Sequence, residues 1–317
     1  MSIQARKVGI VGVGHVGSHS AYSLAIQGIV DELVLCDTND ALLASQTKDL
    51  FDAARFFPHR VKVSSGEIED LADCDIVVNC TAREIPKVAL RDAELVNSVH
   101  ELRDFMPKLM KAGFKGIFIN ITNPCDAITQ LAQEISGLDP KKCFGTGTYL
   151  DSSRLCSILG RETNLEPNAV HAYMLGEHGN AQFAAWSNMS VGGKSLAELE
   201  KTDPRFANLD HEKIEEETRK SGYTVWFGKF GIDFSVTSVL ADVVRCIYHD
   251  QKTVLPLSVK LTGQYGESGV YISTPVIIGR GGIEDIIELR LPENELANIK
   301  ASCASVRSNL EKAKGIK

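Results

Sequence analysis

No apolar run in this chain of 317 residues approaches the roughly 18 residues that a membrane-spanning helix needs. Basic residues are not in excess either. Lys and Arg number 34 against 41 Asp and Glu, and the formal net charge of −7 argues against broad binding to nucleic acid or to an anionic membrane surface. The eight cysteines include no CxxC pair and follow no regular spacing, so they imply neither a zinc site nor a disulfide framework, and no metal is expected. Internal repeats, low-complexity tracts and long Pro/Gly linkers are absent, and a domain boundary has to be inferred from a change in element pattern. The segment from Met1 to Lys7 leads into the first apolar strand without room for a signal peptide, which makes the cytoplasm the expected compartment.

What is present starts at that strand. Val8 to Val11 runs into Gly12-Val13-Gly14-His15-Val16-Gly17 and then into a helical pattern. A second apolar run, Glu32 to Cys36, ends at Asp37, which lies 20 residues beyond Gly17. Strand, three glycines, helix, strand and acid in this order describe a dinucleotide site. Gly12 makes the tight turn, Gly14 lets the backbone approach a diphosphate, Gly17 lets helix and strand pack closely, and the diphosphate rests on the helix N-terminus. At Asp37 a carboxylate can accept hydrogen bonds from both adenosine ribose hydroxyls and would repel a 2′-phosphate, so NAD is favoured over NADP. A flavin dinucleotide would meet the same loop.

From Lys7 to about Gly145, short apolar runs alternate with helical patterns, with strands near Asp75 to Cys80, Gly116 to Ile121 and Cys143 to Gly145. That alternation predicts an α/β fold with a Rossmann-type doubly wound parallel sheet over residues 1–145. Between two of these strands Leu95, Val99, Leu102, Met106 and Leu109 mark one buried helical face, which Pro107 is expected to kink or split. Beyond Gly145 the pattern coarsens. A helix from Asp151, a strand near Val170 to Met174, helices around His211 to Lys220 and Asp233 to His249, two long antiparallel strands (Thr253 to Leu261, Gly269 to Gly279) and a closing helix after Pro292 predict an α+β substrate domain over 146–317.

Three segments hold polar groups that apolar packing does not require: Thr122-Asn123-Pro124-Cys125-Asp126, Leu150-Asp151-Ser152-Ser153-Arg154 and Leu175-Gly176-Glu177-His178-Gly179-Asn180. Asp151 and Arg154 are three apart, which places carboxylate and guanidinium on one helix face. Singly, each has a plain structural alternative: Asp151 as a helix cap, Arg154 in a surface ion pair, His178 in a turn.

Together with Gly12-x-Gly14-x-x-Gly17 and Ile278-Gly279-Arg280-x-Gly282, these segments resemble the L-2-hydroxyacid dehydrogenases of the lactate and malate dehydrogenase superfamily, over essentially the whole chain. The stretch Gly176 to Phe183, with Asn180 where most relatives carry Asp, is most similar to the L-2-hydroxyisocaproate dehydrogenase branch. The resemblance implies an NAD-dependent enzyme that exchanges a hydride with a small 2-hydroxy or 2-oxo acid. His178 would be the proton donor, Asp151 its orienting acid, and Arg154 the partner of the substrate carboxylate, with Asn123 beside the substrate oxygen. Val16, Thr81, Ala82 and Asn123 would join the glycines and Asp37 around the cofactor. Arg91 would polarise the carbonyl from a closing loop, with Arg83 as competitor. Ile85 or Pro86, and Ile232, would give the pocket an apolar wall suited to side chains larger than that of pyruvate.

The resemblance also implies a homodimer or homotetramer. Fructose 1,6-bisphosphate activation is not expected, because Cys156 stands where an arginine would accompany His171. Malate dehydrogenase is the alternative enzyme, with Lys87 or Arg83 reading a second carboxylate. A non-catalytic NAD-binding sensor is the alternative of another class.

Overall fold

The computed structural model describes residues 5–82, 91–229 and 231–316, with the side chains of 91–93 outside the description. Its first half consists of β1 (Lys7–Val11), α1 (His15–Ile26), β2 (Glu32–Cys36), α2 (Asp40–Ala53), β3 (Lys62–Ser65), β4 (Ile76–Asn79), α3 (Arg91–Lys111), β5 (Ile117–Asn120), α4 (Cys125–Ser136) and β6 (Cys143–Gly145). These strands lie in the order β3-β2-β1-β4-β5-β6, all parallel. The inner strands are buried on both faces: Ile76 and Val78 enter one core with Leu33, Leu35, Ile117 and Ile119, while Val77, Val34 and Phe118 enter the core on the other side. β1 lies between β2 and β4, so the chain leaves β1 and β4 in opposite directions. The crevice at their carboxyl ends is where ligands bind in such sheets.

The second half continues the sheet. It holds α5 (Tyr149–Thr163), the two-residue strands β7 (Val170–His171), β8 (Met174–Leu175), β9 (Phe183–Ala184), β10 (Ser190–Val191) and β11 (Lys194–Ser195), then α6 (Leu196–Thr202), α7 (His211–Lys229), α8 (Phe234–Tyr248), β12 (Thr253–Thr262), β13 (Ser268–Gly279), β14 (Gly282–Ile286) and α9 (Glu293–Gly315). β12 pairs antiparallel with β6 at Ser258 and Gly145, which extends the sheet to nine strands. Leu240, Val243 and Val244 of α8 share a core with Val8, Ile10 and Leu24, so the halves are joined by apolar packing as well.

Two expectations are corrected. The strand expected near Val170 to Met174 is two strands in two sheets, because Val170–His171 pairs with β10 and Met174–Leu175 with β9. Helix α3 continues through Pro107 as one helix, so the proline does not split it. An interior proline costs about 3 kcal/mol, whereas the fully buried Val99, Leu102, Met106 and Leu109 each contribute roughly 1.5–3 kcal/mol. Their burial outweighs the lost hydrogen bond.

Candidate active site

The glycine loop is built by close approach. Gly12 has φ +88°, and a Cβ there would lie 2.8 Å from the Cys80 carbonyl oxygen; one on Gly17 would lie 1.8 Å from the oxygen of Gly12. Gly14 differs, since a Cβ built on it meets no atom within 4 Å. That open space faces the start of α1, where Gly14 offers no capping side chain and the first turn carries no acid. Uncapped N–H groups beside an empty cradle suit a diphosphate. Asp37 follows β2, accepting from Val13 N–H at 2.8 Å and from Asn39 N–H at 2.9 Å, and keeps acceptor capacity for hydroxyl groups. Half-buried Val16 packs under the loop from α1. Thr81 is buried after β4, where its hydroxyl donates to Asn79 Oδ1 at 2.9 Å, and Ala82 is exposed.

Asn123 sits beyond β5, in a turn fastened from below. Asn79 donates to Asn120 at 2.9 Å, Asn120 donates to the Thr122 carbonyl at 2.9 Å, and the Ser98 hydroxyl donates to the carbonyl of Asn123 at 2.6 Å. The Asn123–Pro124 peptide is cis.

Two basic side chains meet around one carboxylate. Asp151, 1% exposed in the first turn of α5, accepts from His178 Nδ1 at 2.6 Å through Oδ2 and from Arg154 Nη1 at 2.9 Å through Oδ1. Nε2 of His178 has no hydrogen bond among the described residues. Arg154 Nη2 is buried, and it too has no partner among them. A buried guanidinium nitrogen without an acceptor is uncommon, and it marks a place for an arriving anion.

Burial works against charge on His178, but the Asp151 carboxylate overcomes it and holds the imidazole proton above histidine's usual range. Burial likewise opposes ionisation of Asp151, and His178 and Arg154 together keep its carboxyl below the usual range.

The loop bearing His178 is pinned on several sides. Gly176, at φ +91°, exchanges backbone hydrogen bonds with Ser273 of β13, and a Cβ on it would lie 2.2 Å from Ser302 Oγ. Buried Glu177 accepts from Asn309 of α9 at 3.1 Å. Asp126 accepts from the His178 N–H at 2.7 Å and from the Ser258 hydroxyl at 2.5 Å, and burial pushes its carboxyl up to about 6 against both bonds. Asp126 and Ser258 were not singled out by the sequence. The only signal was that Asp126 closes the polar segment beginning at Thr122.

A wall of α7 completes the site. A Cβ on Gly222 would lie 3.5 Å from Arg154 Nη1, 3.7 Å from Ile232 Cδ1 and 3.8 Å from Arg154 Nη2. Gly222 and Ile232 thus flank the guanidinium, and Gly222 too was missed by the sequence reading. Arg83, Ile85, Pro86 and Lys87 lie outside the described residues. Arg91 opens α3, and its side chain is likewise outside them.

Comparison with known proteins agrees with this geometry. Residues 6–145 match the NAD-binding domain model of lactate/malate dehydrogenases and residues 148–316 match their α/β C-terminal domain model. The chain belongs to the lactate/malate dehydrogenase family. An L-lactate dehydrogenase of Fusobacterium nucleatum is 38% identical over 316 residues, covering 99% of both chains. L-lactate dehydrogenase 1 of Bifidobacterium longum is 38% identical over 312 residues, with 98% and 99% covered. Among solved structures, the minor L-lactate dehydrogenase of Enterococcus mundtii in its ligand-bound form superposes with a TM-score of 0.93 at 31% identity, covering 97% of this chain and 98% of that one. The protein is therefore an L-lactate dehydrogenase-like, NAD-dependent oxidoreductase acting on a CH–OH group.

Proposed function

We propose that this dehydrogenase of the lactate/malate family interconverts 2-oxo acids and L-2-hydroxy acids, and that it takes apolar side chains larger than that of pyruvate. The observation that carries the reading is the half-used Arg154 guanidinium. One nitrogen is held by Asp151 and the other is buried and unpartnered, beside an imidazole tied to the same carboxylate. A planar fork in that state takes a substrate carboxylate.

With the carboxylate so held, the 2-oxo group lies toward His178, whose Nδ1 is engaged and whose Nε2 is left to give the carbonyl oxygen a proton. Asp151 fixes the ring's tautomer and supports its cationic form. Asn123 donates near the substrate oxygen, and Arg91 closes from α3 to stabilise growing negative charge. NAD, held by Gly12, Gly14, Gly17, Val16, Asp37, Thr81, Ala82 and Asn123, supplies the hydride exchange when bound.

The side-chain preference rests on Ile232, an apolar residue, and on Gly222, whose missing Cβ leaves room beside the guanidinium. Ile85 is proposed, from the family resemblance alone, to meet the same part of the substrate. Comparing kcat/KM for pyruvate, oxaloacetate and 2-oxoisocaproate tests the reading. 2-Oxoisocaproate is expected to match or exceed pyruvate, and a strong oxaloacetate preference would overturn the assignment. We further propose that residues 1–145 and 146–317 act as cofactor and substrate domains, and that the enzyme works in the cytoplasm as a homo-oligomer.

A further inference from the structure

Where α7 ends and α8 begins, a buried carboxylate is only half satisfied. Asp233 is 8% exposed. Lys229 Nζ lies 2.9 Å from its Oδ2, while Oδ1 is buried with no hydrogen-bond partner among the described residues. Across from Oδ1, at 4.0 Å, is Nδ1 of His15. That residue is the first of α1 and stands inside the glycine loop between Gly14 and Gly17, with its side chain 75% exposed. Two further groups among the described residues stand near the pair. His19, one turn along α1, uses Nδ1 on the His15 carbonyl oxygen at 2.6 Å and sets its ring edge-on to Phe234, and the Lys229 ammonium lies 4.0 Å from the Phe234 ring centre.

An unpaired buried acceptor is costly, and this one faces an imidazole just beyond hydrogen-bond reach. The imidazole in turn stands at the helix N-terminus whose uncapped N–H groups suit a diphosphate. We propose that His15, anchored by Asp233, becomes a cationic contact for the cofactor's diphosphate, so that the enzyme takes up a proton from solvent when it binds a dinucleotide. An imidazole placed between a carboxylate and a diphosphate binds a proton more readily than one facing the carboxylate alone. Lys229 does not substitute for it, since its charge is spent on the other carboxylate oxygen. The sign follows. Affinity is highest at low pH and weakens as pH rises, and it levels off once the bound form also loses its proton.

ADP-ribose is the probe, because it carries the diphosphate without the nicotinamide that would lie near His178. Calorimetric titration of the wild-type enzyme between about pH 6 and 8.5, in buffers of differing ionisation enthalpy, is expected to show uptake approaching one proton and a Kd that rises up to about tenfold per pH unit. His15→Gln should abolish the uptake and flatten the pH dependence, and Asp233→Asn should reduce both. Adenosine, which lacks the diphosphate, should cause no uptake in the wild-type enzyme. Equal uptake in wild type and His15→Gln, equal uptake with adenosine and ADP-ribose, or none in the wild type would each overturn the proposal. If Asp233→Asn fails to fold, the exposed His15 substitution decides alone.

Discussion

One carboxylate, Asp151, holds two basic neighbours and supports the cationic form of one of them, His178, and so its removal should change more than the rate. In Asp151→Asn the amide can accept from only one of His178 and Arg154, and the imidazole loses the group that supports its cation. Reduction of a 2-oxo acid is expected to fall on the order of 10²–10⁴-fold. In the proposed mechanism reduction needs His178 protonated, and its proton is held above the ordinary 6.5. The wild-type kcat/KM for reduction should therefore hold through that value and decline only at higher pH, and the decline should move to lower pH in Asp151→Asn. A pH–rate profile of the two enzymes, read at the same substrate, checks the direction. At this scale the sequence was informative where a motif is local: Asp151, Arg154 and His178 come together as their segments imply. It did not join Asp126 to Ser258, 132 residues apart, because nothing in either segment names the other.

At the scale of elements, two glycines in one loop make opposite predictions. Gly17→Ala forces a Cβ against the Gly12 carbonyl oxygen and should unseat α1 from the sheet, lowering stability and cofactor binding together. Gly14→Ala meets no protein atom, so its stability should change by less than about 0.5 kcal/mol while NADH affinity falls, because the added methyl occupies the diphosphate cradle. Thermal melts with and without NADH separate the two. On α7, a helical glycine in place of alanine costs roughly 0.5–1 kcal/mol, and nothing packed against Gly222 closer than 3.5 Å demands it. Gly222→Ala should raise the melting temperature yet lower the ratio of kcat/KM for 2-oxoisocaproate to that for pyruvate. A melting temperature that rises with an unchanged ratio would remove Gly222 from the pocket.

Elements with strong apolar runs were legible in advance. β3, whose Lys62 and Ser65 are exposed, and β14, with Asp285 on its outer side, carry too little apolar pattern to be read as strands. The division into β7 and β8 depends on pairing partners that arrive later in the chain.

For the whole molecule, the parallel half and its continuation through β12 form one sheet, and both the glycine loop after β1 and the His178 loop bridged to β13 are fastened to it. Cys156 donates its thiol to the backbone carbonyl of Val170 at 3.4 Å and supplies no cation beside exposed His171. Adding fructose 1,6-bisphosphate is accordingly expected to leave the half-saturating substrate concentration unchanged, and a large fall would contradict this. Phe51, Phe56, Phe227 and Phe234 are strongly exposed in the single subunit, and the proposed homo-oligomer would offer them a covering surface. Sedimentation should find a dimer or larger species.

In the proposed reaction His178, propped by Asp151, protonates a substrate held by Arg154. Single-turnover oxidation of bound NADH by 2-oxoisocaproate and by pyruvate, in wild type and His178→Gln, with NADH affinity measured on the same samples, tests it most directly. The account predicts turnover in the wild type and a loss on the order of 10³-fold in the variant, with NADH still bound about as tightly. Turnover that survives the substitution, or that is lost only because NADH no longer binds, would contradict it.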